Sequence, residues 1–296
     1  MAMFNTSRFH QILDRVDGLL DRIEGLLPAQ TGAGPTGEAL AWRWRRSGQH
    51  AGRFVAVPEP VTMDLQALHG IDHQRTVLER NTRQFVAGLP CNNALLWGAR
   101  GTGKSSLVKG LLAAYADHGL RLVEVSAADL VDLPDVVAPL AGRPERFVVF
   151  ADDLAFSGDD PAYRALKAVL EGSVAAAPPN VVIYATSNRR HLMPEFMSEN
   201  REARAVDGEI HPGETTEEKI SLAERFGLWL SFPPFGEDDF LVMVEGWLAR
   251  IAPEQPFDEA VRTAAKRWAL ARGSRSGRVA RQFALDWAGQ CRLERE

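Results

Sequence analysis

Short apolar runs alternate with amphipathic stretches through the middle of the chain. The apolar runs at residues 93–97, 120–125, 146–150 and 181–186 predict strands, and helical periodicity covers residues 71–88 and the stretch after Gly103. Strands that alternate regularly with helices indicate a parallel sheet covered on both faces. After Pro233 the pattern is purely helical. The sequence therefore predicts an α/β fold, with three α/β/α layers around a parallel sheet and a small C-terminal helical domain.

The first 38 residues have a different character. Apolar residues recur at steps of four and three from Phe9 to Leu27, with charged residues between them, which predicts an amphipathic helix over residues 1–27. Fewer than three heptads are short for an autonomous coiled coil, so this helix either docks on its own chain or binds a partner or second copy. Residues 28–38 contain three glycines and two prolines, which predicts a flexible linker that does not pack.

The segment at residues 39–63 is basic and aromatic. Trp42 and Trp44 alternate with Arg43, Arg45 and Arg46, and no acidic residue lies between positions 41 and 53. Such a segment could stack nucleic-acid bases while its arginines neutralise phosphates. The alternative, which we favour, is an edge strand whose tryptophans face the core while its arginines face water.

Composition and charge exclude several classes of protein. The 296 residues are 45% hydrophobic and 25% charged, and the formal net charge of -5 argues against a protein that coats nucleic acid or anionic membrane. Cys91 and Cys291 lie far apart and lack metal-ligand spacing, so we expect reduced thiols in a cytoplasmic protein. Neither a membrane span nor an export signal is evident in the sequence.

The strongest local signal is a phosphate-binding loop. The stretch GARGTGKS at 98–105 satisfies G-x-x-x-x-G-K-S/T, follows the apolar strand NALLW and runs into a helical stretch. Glycines let backbone N–H groups surround phosphates, Lys104 should reach the β and γ phosphates, and the Ser105 hydroxyl should ligate Mg²⁺. The sequence thus predicts a Mg-ATP site. Its phosphate-side residues are Gly98, Ala99, Arg100, Gly101, Thr102, Gly103, Lys104, Ser105 and Ser106.

Polar residues at the ends of two later strands supply the remaining chemistry. Asp152 and Asp153 follow an apolar strand, where a P-loop ATPase needs one acid on the metal side and a second to orient the attacking water. We assign these roles to Asp152 and Asp153 respectively, although adjacent acids at this place could also cap the next helix. Asn188 ends the next strand, where its amide could orient the water or contact the γ phosphate. Asparagine is also ordinary turn chemistry there.

The order of these motifs resembles that of AAA+ P-loop ATPases over about residues 64–290. Within that superfamily, phrases such as LLWGARGTGKSSLVK, FADDLAF, YATSNRRHLMPE and ERFGLWLSF resemble a bacterial ATP-binding family known as domain of unknown function 815. The resemblance implies a nucleotide-binding core at 64–232 and a helical lid at 233–296. One departure is that most of the superfamily has Glu where this chain has Asp153, which is shorter by one methylene. This difference predicts slow hydrolysis.

The resemblance also implies roles outside the P-loop. Arg225 is implied to be an arginine finger that reaches the γ phosphate of a neighbouring subunit, which requires a homo-oligomer such as a ring. The alternative is an ordinary surface arginine. Arg275 and Arg278 compete to be the lid arginine that senses phosphate, and we prefer Arg275. His69, Gly70 and Ile71 are implied to lie on the adenine side. Glu171 lies too far along its helix to replace Asp153.

Three functions remain open from the sequence. The first is an oligomeric ATPase that remodels a protein or nucleic-acid partner, with residues 196–219 as a long loop that either grips the partner or is merely solvated. The second is an ATP-gated binding module with little turnover. The third is a nucleic-acid loader that uses the Trp42 to Arg53 segment.

Overall fold

The computed structural model describes residues 34–46, 52–61, 63–156, 160–171, 178–188, 204–206, 209–211 and 224–293. Its strands are β1 (Ala41–Arg45), β2 (Arg53–Ala56), β3 (Ala94–Gly98), β4 (Leu120–Val125), β5 (Arg146–Ala151), β6 (Val181–Ser187), β7 (Arg204–Val206), β8 (Glu209–His211) and β9 (Leu228–Phe232). Its α-helices are α1 (Asp72–Val86), α2 (Lys104–Tyr115), α3 (Leu133–Val137), α4 (Pro161–Glu171), α5 (Glu237–Ile251), α6 (Glu259–Arg272) and α7 (Gly277–Leu293). Short 3₁₀ turns cover Leu65–Ala67, Ala116–His118, Ala127–Asp132 and Ala138–Leu140.

Seven strands form one sheet in the order β2-β1-β4-β5-β6-β3-β9. Every neighbouring pair is parallel except the antiparallel hairpin of β1 and β2. The central strands are buried on both faces, which explains why the sequence shows continuous apolar runs there instead of alternation. The four predicted core strands are confirmed, with bounds shifted by at most one residue.

Helices cover both faces of this sheet. One face packs against α3 and α4 through residues such as Val136 and Leu166. The other packs against α1 and α2 through residues such as Leu78 and Leu111. The predicted three-layer α/β/α architecture is confirmed.

The basic and aromatic segment belongs to this sheet. Trp42 and Trp44 are buried, at 1% and 4% exposure, while Arg43 and Arg45 face outward. The favoured prediction of alternation is correct, although β2 forms the edge and β1 pairs with β4. The described part of the predicted linker also packs: the Arg143 guanidinium donates to the Pro35 carbonyl at 2.7 Å, and the Trp42 indole donates to the Thr36 carbonyl at 3.3 Å. Gly34 and Pro35 therefore pack against the chain, contrary to the prediction, whereas residues 36–38 are exposed.

The helices after Pro233 form a separate small core. Helices α5, α6 and α7 enclose a cluster that includes Phe240, Ala265 and Phe283. Helix α6 begins at the Asp258 cap, whose carboxylate accepts from the Val261 amide at 3.0 Å, and ends at left-handed Gly273. This helical bundle contacts the P-loop, because the Gly277 amide donates to the Gly101 carbonyl at 3.0 Å.

Some predictions fall outside the described residues. The amphipathic helix at residues 1–27 does so entirely, and so does most of the loop at residues 196–219. In the part of the chain that is described, none of the helices has the length and apolar character to span a membrane.

Candidate functional site

The P-loop joins β3 to α2 and depends on glycine backbone conformations. Gly98, Gly101 and Gly103 have φ angles of 136°, 73° and 94°, which L-residues rarely adopt. Gly98 has a second constraint, because a Cβ there would lie 2.1 Å from the Phe232 carbonyl oxygen of β9. Glycine at the first position of the motif therefore permits close strand packing, and the later glycines shape the loop itself.

Lys104 is the first residue of α2 and lies buried under the loop. Its ammonium donates to the carbonyls of Gly98 and Ala99 at 2.9 and 2.7 Å, and to Asn188 Oδ1 at 3.2 Å. Burial lowers the pKa of Lys104, and the nearby carboxylates of Asp153 and Asp152 oppose that shift. The cation is thus held at the centre of the predicted phosphate site.

The two acids after β5 meet the P-loop and the end of β6. Ser105 Oγ and Thr186 Oγ1 both donate to Asp152 Oδ1, at 2.6 and 2.5 Å. The Asp153 amide donates to Thr186 Oγ1 at 2.8 Å, and the Asn188 amide donates to Asp153 Oδ1. Asp153 has a φ of 54°, a left-handed conformation for a residue with a side chain. Sequence-distant residues are thereby joined in one polar cluster.

This cluster suits a magnesium ion. The Ser105 hydroxyl and Asp152 carboxylate are hard oxygen donors, the type that Mg²⁺ prefers. Within the described ranges, no group of three or more His, Cys, Asp or Glu side chains could hold a metal. Two protein oxygens still fit Mg²⁺, because this ion usually keeps several waters and binds through one or two protein ligands plus substrate phosphates.

These groups line a cleft of about 680 Å³ between the P-loop, the strand ends and the helical bundle. Most of the predicted residues lie there: Arg100, Gly101, Thr102, Gly103, Lys104, Ser105, Ser106, His69, Ile71, Asp152, Asp153, Asn188 and Arg278. Gly98 and Ala99 lie beneath the loop instead, where they accept hydrogen bonds from Lys104. Gly70 is also outside the lining, packed under Phe235, whose ring would lie 2.9 Å from an added Cβ.

One wall of the cleft is apolar and was not predicted as a whole. Met63, Leu68 and Ile71 supply one side of it, and Phe235, Met243 and Trp247 line it from the other. Met243 and Trp247 are four residues apart on α5, so they share one helix face. Apolar side chains beside a phosphate-binding loop can provide a surface for a nucleotide base. Helical spacing alone could have suggested this face of α5.

The two candidate lid arginines lie in different places. Arg278 lines the cleft together with Arg281, one turn further along α7. Arg275 lies before α7 begins, outside the cleft lining, with its guanidinium 3.7 Å from the Glu237 carboxylate. The assignment of the sensing arginine stays a prediction, with Arg278 as the candidate that lines the cleft, and Arg281 is a cleft residue that the sequence did not single out.

Arg225 lies apart from the cleft of its own chain. It precedes β9, whose last residue, Phe232, is paired with Gly98 beside the P-loop. The five residues of β9 alone separate the two places by about 13 Å. Arg225 forms an ion pair with Glu171 at the end of α4. Glu171 is outside the cleft lining, in agreement with its rejection as a catalytic acid.

The basic segment does not present the stacking surface of a nucleic-acid site. Both tryptophans are buried, and the Trp44 indole donates to Asp132 at 3.2 Å. Arg46 pairs with Asp132 at 2.6 Å, and Arg43 pairs with Glu124 at 2.7 Å. The base-stacking interpretation of Trp42 and Trp44 is therefore wrong.

The parallel sheet, the P-loop with its strand-end acids and the helical bundle define an α/β P-loop NTPase fold of the AAA+ type. The chain belongs to the family described as "Protein of unknown function (DUF815)", whose model matches residues 37–291. Both resemblances predicted from the motifs are confirmed.

The chain is similar to solved structures at low sequence identity. The Aeropyrum pernix ORC1 protein in complex with DNA is 16% identical with a TM-score of 0.52, over 81% of this chain and 67% of that one. A mutant of Thermotoga maritima RuvB is 14% identical with a TM-score of 0.47, over 75% of this chain and 63% of that one. The FIGL-1 AAA domain in complex with ADP is 15% identical with a TM-score of 0.48, over 78% of this chain and 74% of that one. No curated protein matches the sequence.

Proposed function

We propose that this protein is a Mg²⁺-dependent ATPase that acts as a homo-oligomer and couples ATP hydrolysis to the remodelling of a protein or nucleic-acid partner. The observation that carries the proposal is the 2.6 Å contact between the Ser105 hydroxyl and Asp152. It joins the phosphate loop to the acid that follows β5, a buried strand separated from β3 by β6. A glycine-rich turn without a ligand would not require this acid.

Each residue of the cluster has a chemical task in this proposal. Ser105 and Asp152 would hold Mg²⁺, which neutralises charge on the phosphates when bound. Lys104 and the loop amides bind the phosphates, and the dipole of α2 adds to their attraction. Asp153 accepts the proton of the attacking water, and Asn188 orients that water. Arg278 contacts the phosphates from the helical bundle.

The place of Arg225 supports the homo-oligomer. Arg225 lies too far from the cleft of its own chain to act there, so we assign it to the cleft of a neighbouring subunit. An arginine supplied in trans stabilises charge that develops in the transition state of phosphoryl transfer. In the isolated chain this arginine is paired with Glu171, so assembly would transfer it from a carboxylate to a phosphate.

A second candidate is an ATP-gated binding module with slow turnover. The observation in its favour is the hydrogen bond from Asn188 to the Asp153 carboxylate, which engages one of the two oxygens that could accept a proton from water. In that case ATP would act by ordering the helical bundle against the P-loop through contacts such as Gly277 to Gly101. The two candidates differ in phosphate release.

Phosphate release by the purified chain tests hydrolysis. Lys104→Ala should abolish release, because it removes the buried cation at the phosphates. Lys266→Ala is the matched control, since Lys266 is an exposed lysine of α6 paired with Glu237 outside the cleft, and its loss should leave the rate unchanged. ATP binding without phosphate release, at all protein concentrations, would favour the gated module instead.

Mixing two inactive variants tests action in trans. Arg225→Ala should abolish turnover while ATP binding persists, and a Lys104→Ala subunit still carries Arg225. Mixed oligomers would therefore contain intact pockets facing intact arginines, and the mixture should recover a measurable part of the rate. Arg43→Ala serves as a control, because Arg43 is also an ion-paired arginine but lies on β1. No recovery in oligomers shown to contain both variants would refute the trans role.

The cytoplasmic location stays a prediction.

A further inference from the structure

Thr186 on β6 contacts both acids of the site. Its side chain is 1% exposed. Thr186 Oγ1 lies 2.5 Å from Asp152 Oδ1 and 2.8 Å from the Asp153 amide nitrogen. One buried hydroxyl therefore bridges the metal-side acid and the water-side acid.

The directions of these two hydrogen bonds are fixed. A backbone amide can only donate, so the Thr186 oxygen accepts from Asp153 and its single proton is left for Asp152. Ser105 also donates to the same Asp152 oxygen, at 2.6 Å. Two hydroxyl groups, from Ser105 and Thr186, thus hold the same Asp152 oxygen, which fixes the orientation of this carboxylate towards the P-loop.

The same hydroxyl acts where the strand ladder ends. Strands β5 and β6 pair regularly up to Ala151 and Ala185. Beyond that point the Leu154 amide donates to the Thr186 carbonyl at 2.7 Å, and Asp153 takes its left-handed φ of 54°. The Thr186 side chain thus satisfies the Asp153 amide that the turn removes from the ladder. This turn directs the two carboxylates to different partners, Asp152 to Ser105 and Asp153 to Asn188.

We propose that Thr186 is a positioning residue for both acids, setting Asp152 for Mg²⁺ and Asp153 for the attacking water. This inference rests on the proposed ATPase function. Loss of the hydroxyl would act through the acids, since Thr186 itself need not touch the nucleotide. Outer-shell partners of metal ligands typically contribute about 10- to 100-fold to metal affinity or activity.

Thr186→Val and Thr186→Ser test this role. Valine keeps the shape and removes both hydrogen bonds, and serine keeps the hydroxyl. Binding of a fluorescent ADP analogue is measured with EDTA and with increasing Mg²⁺, and phosphate release is measured in parallel. For Thr186→Val we expect an unchanged affinity for the ADP analogue in EDTA. The Mg²⁺ midpoint, which is the Mg²⁺ concentration that gives half of the Mg²⁺-dependent change in binding, should rise about 10-fold or more. The kcat for phosphate release should fall about 10- to 100-fold. Thr186→Ser should restore both values to within a few-fold.

Thr82→Val provides a matched control. Thr82 is also fully buried, and its hydroxyl bonds to the Leu78 carbonyl at 2.9 Å and to the Tyr184 hydroxyl at 2.9 Å, away from the acids. Thr82→Val should leave the Mg²⁺ midpoint unchanged even if it lowers the free energy of unfolding. If Thr186→Val does not bind nucleotide in EDTA, Thr186→Ala replaces it under the same criteria.

Three outcomes would overturn the inference: a wild-type Mg²⁺ midpoint and kcat in the valine variant, an equal shift in Thr82→Val, or no rescue by serine. Failure of the proposed ATPase function is a separate result. If wild-type protein releases no phosphate, the hydrolysis proposal fails. The Mg²⁺ dependence of ADP binding still reports whether Thr186 positions Asp152.

Discussion

Gly98→Ala tests whether the first P-loop glycine is required by strand packing. The added Cβ would lie 2.1 Å from the Phe232 carbonyl oxygen, 2.8 Å from its carbon and 2.9 Å from the Phe232 amide nitrogen. All three atoms are backbone, so no side-chain rotation can relieve the overlap. β3 and β9 must separate, or the P-loop must shift.

The expected loss in the free energy of unfolding of Gly98→Ala has two parts. Alanine held at a φ of 136° costs about 1–3 kcal/mol as backbone strain. Separation of the strands also weakens the hydrogen bond from the Ala99 amide to the Phe232 carbonyl, 3.0 Å long, which contributes about 1 kcal/mol. We therefore expect the free energy of unfolding to fall by about 2–4 kcal/mol, and nucleotide binding to weaken because Lys104 is anchored on the Gly98 carbonyl.

Gly119→Ala separates the packing cost from the cost of the φ angle. Gly119 has a φ of 84°, but nothing lies within 4 Å of an added Cβ, so only about 1–2 kcal/mol of backbone strain is expected. Equilibrium unfolding in urea measures both variants, and a fluorescent ADP analogue measures binding. The argument is refuted if Gly98→Ala loses no more stability than Gly119→Ala and binds ADP normally.

Three further predictions follow from the site and the core. Arg278→Ala should weaken ATP binding about 10-fold or more, because a charge-assisted contact is lost, whereas Arg275→Ala should have little effect. Equal losses of affinity for the two variants in a binding titration would contradict the placement of these arginines. Asp153→Asn should preserve ATP binding and remove turnover, and a variant that still releases phosphate at the wild-type rate would exclude Asp153 as the base. Burial raises the pKa of Tyr184 from 10.0 to about 12. As the pH rises, the unfolded chain therefore loses the Tyr184 proton before the folded chain does. The free energy of unfolding should consequently fall by up to about 3 kcal/mol between pH 10 and 12. Tyr184→Phe should lack that component in urea titrations at each pH, and an identical pH slope would refute the assignment.

Contiguous motifs were the part of the site that could be predicted from the sequence. The P-loop lies within nine residues, and its strand and helix context is also local. Asp152, Asp153 and Asn188 follow apolar strands, and parallel strands bring such ends to one edge of a sheet. The fold class followed from the same alternation.

Side-chain contacts between distant positions were not predictable. Thr186 reads as an ordinary strand residue until β5 bends after Ala151 and presents an amide to its hydroxyl. Which of Arg275 and Arg278 enters the cleft depends on where α7 begins. Sequence patterns locate the start of a helix only to within about two residues. Composition also does not reveal that the carbonyls of Pro35 and Thr36 accept hydrogen bonds from Arg143 and Trp42.

The backbone explains why position 153 holds aspartate where the superfamily usually has glutamate. Asp153 is the one non-glycine residue with positive φ among those the structure describes. Aspartate enters the left-handed region more readily than glutamate, because its short polar side chain can bond locally. The turn that lets Thr186 hold both acids thus favours the shorter side chain, and the position of the carboxylate is set by the turn as well as by side-chain length. A missing methylene is therefore not by itself an argument for slow hydrolysis. The rate of hydrolysis depends instead on whether Asn188 releases the Asp153 carboxylate when nucleotide binds.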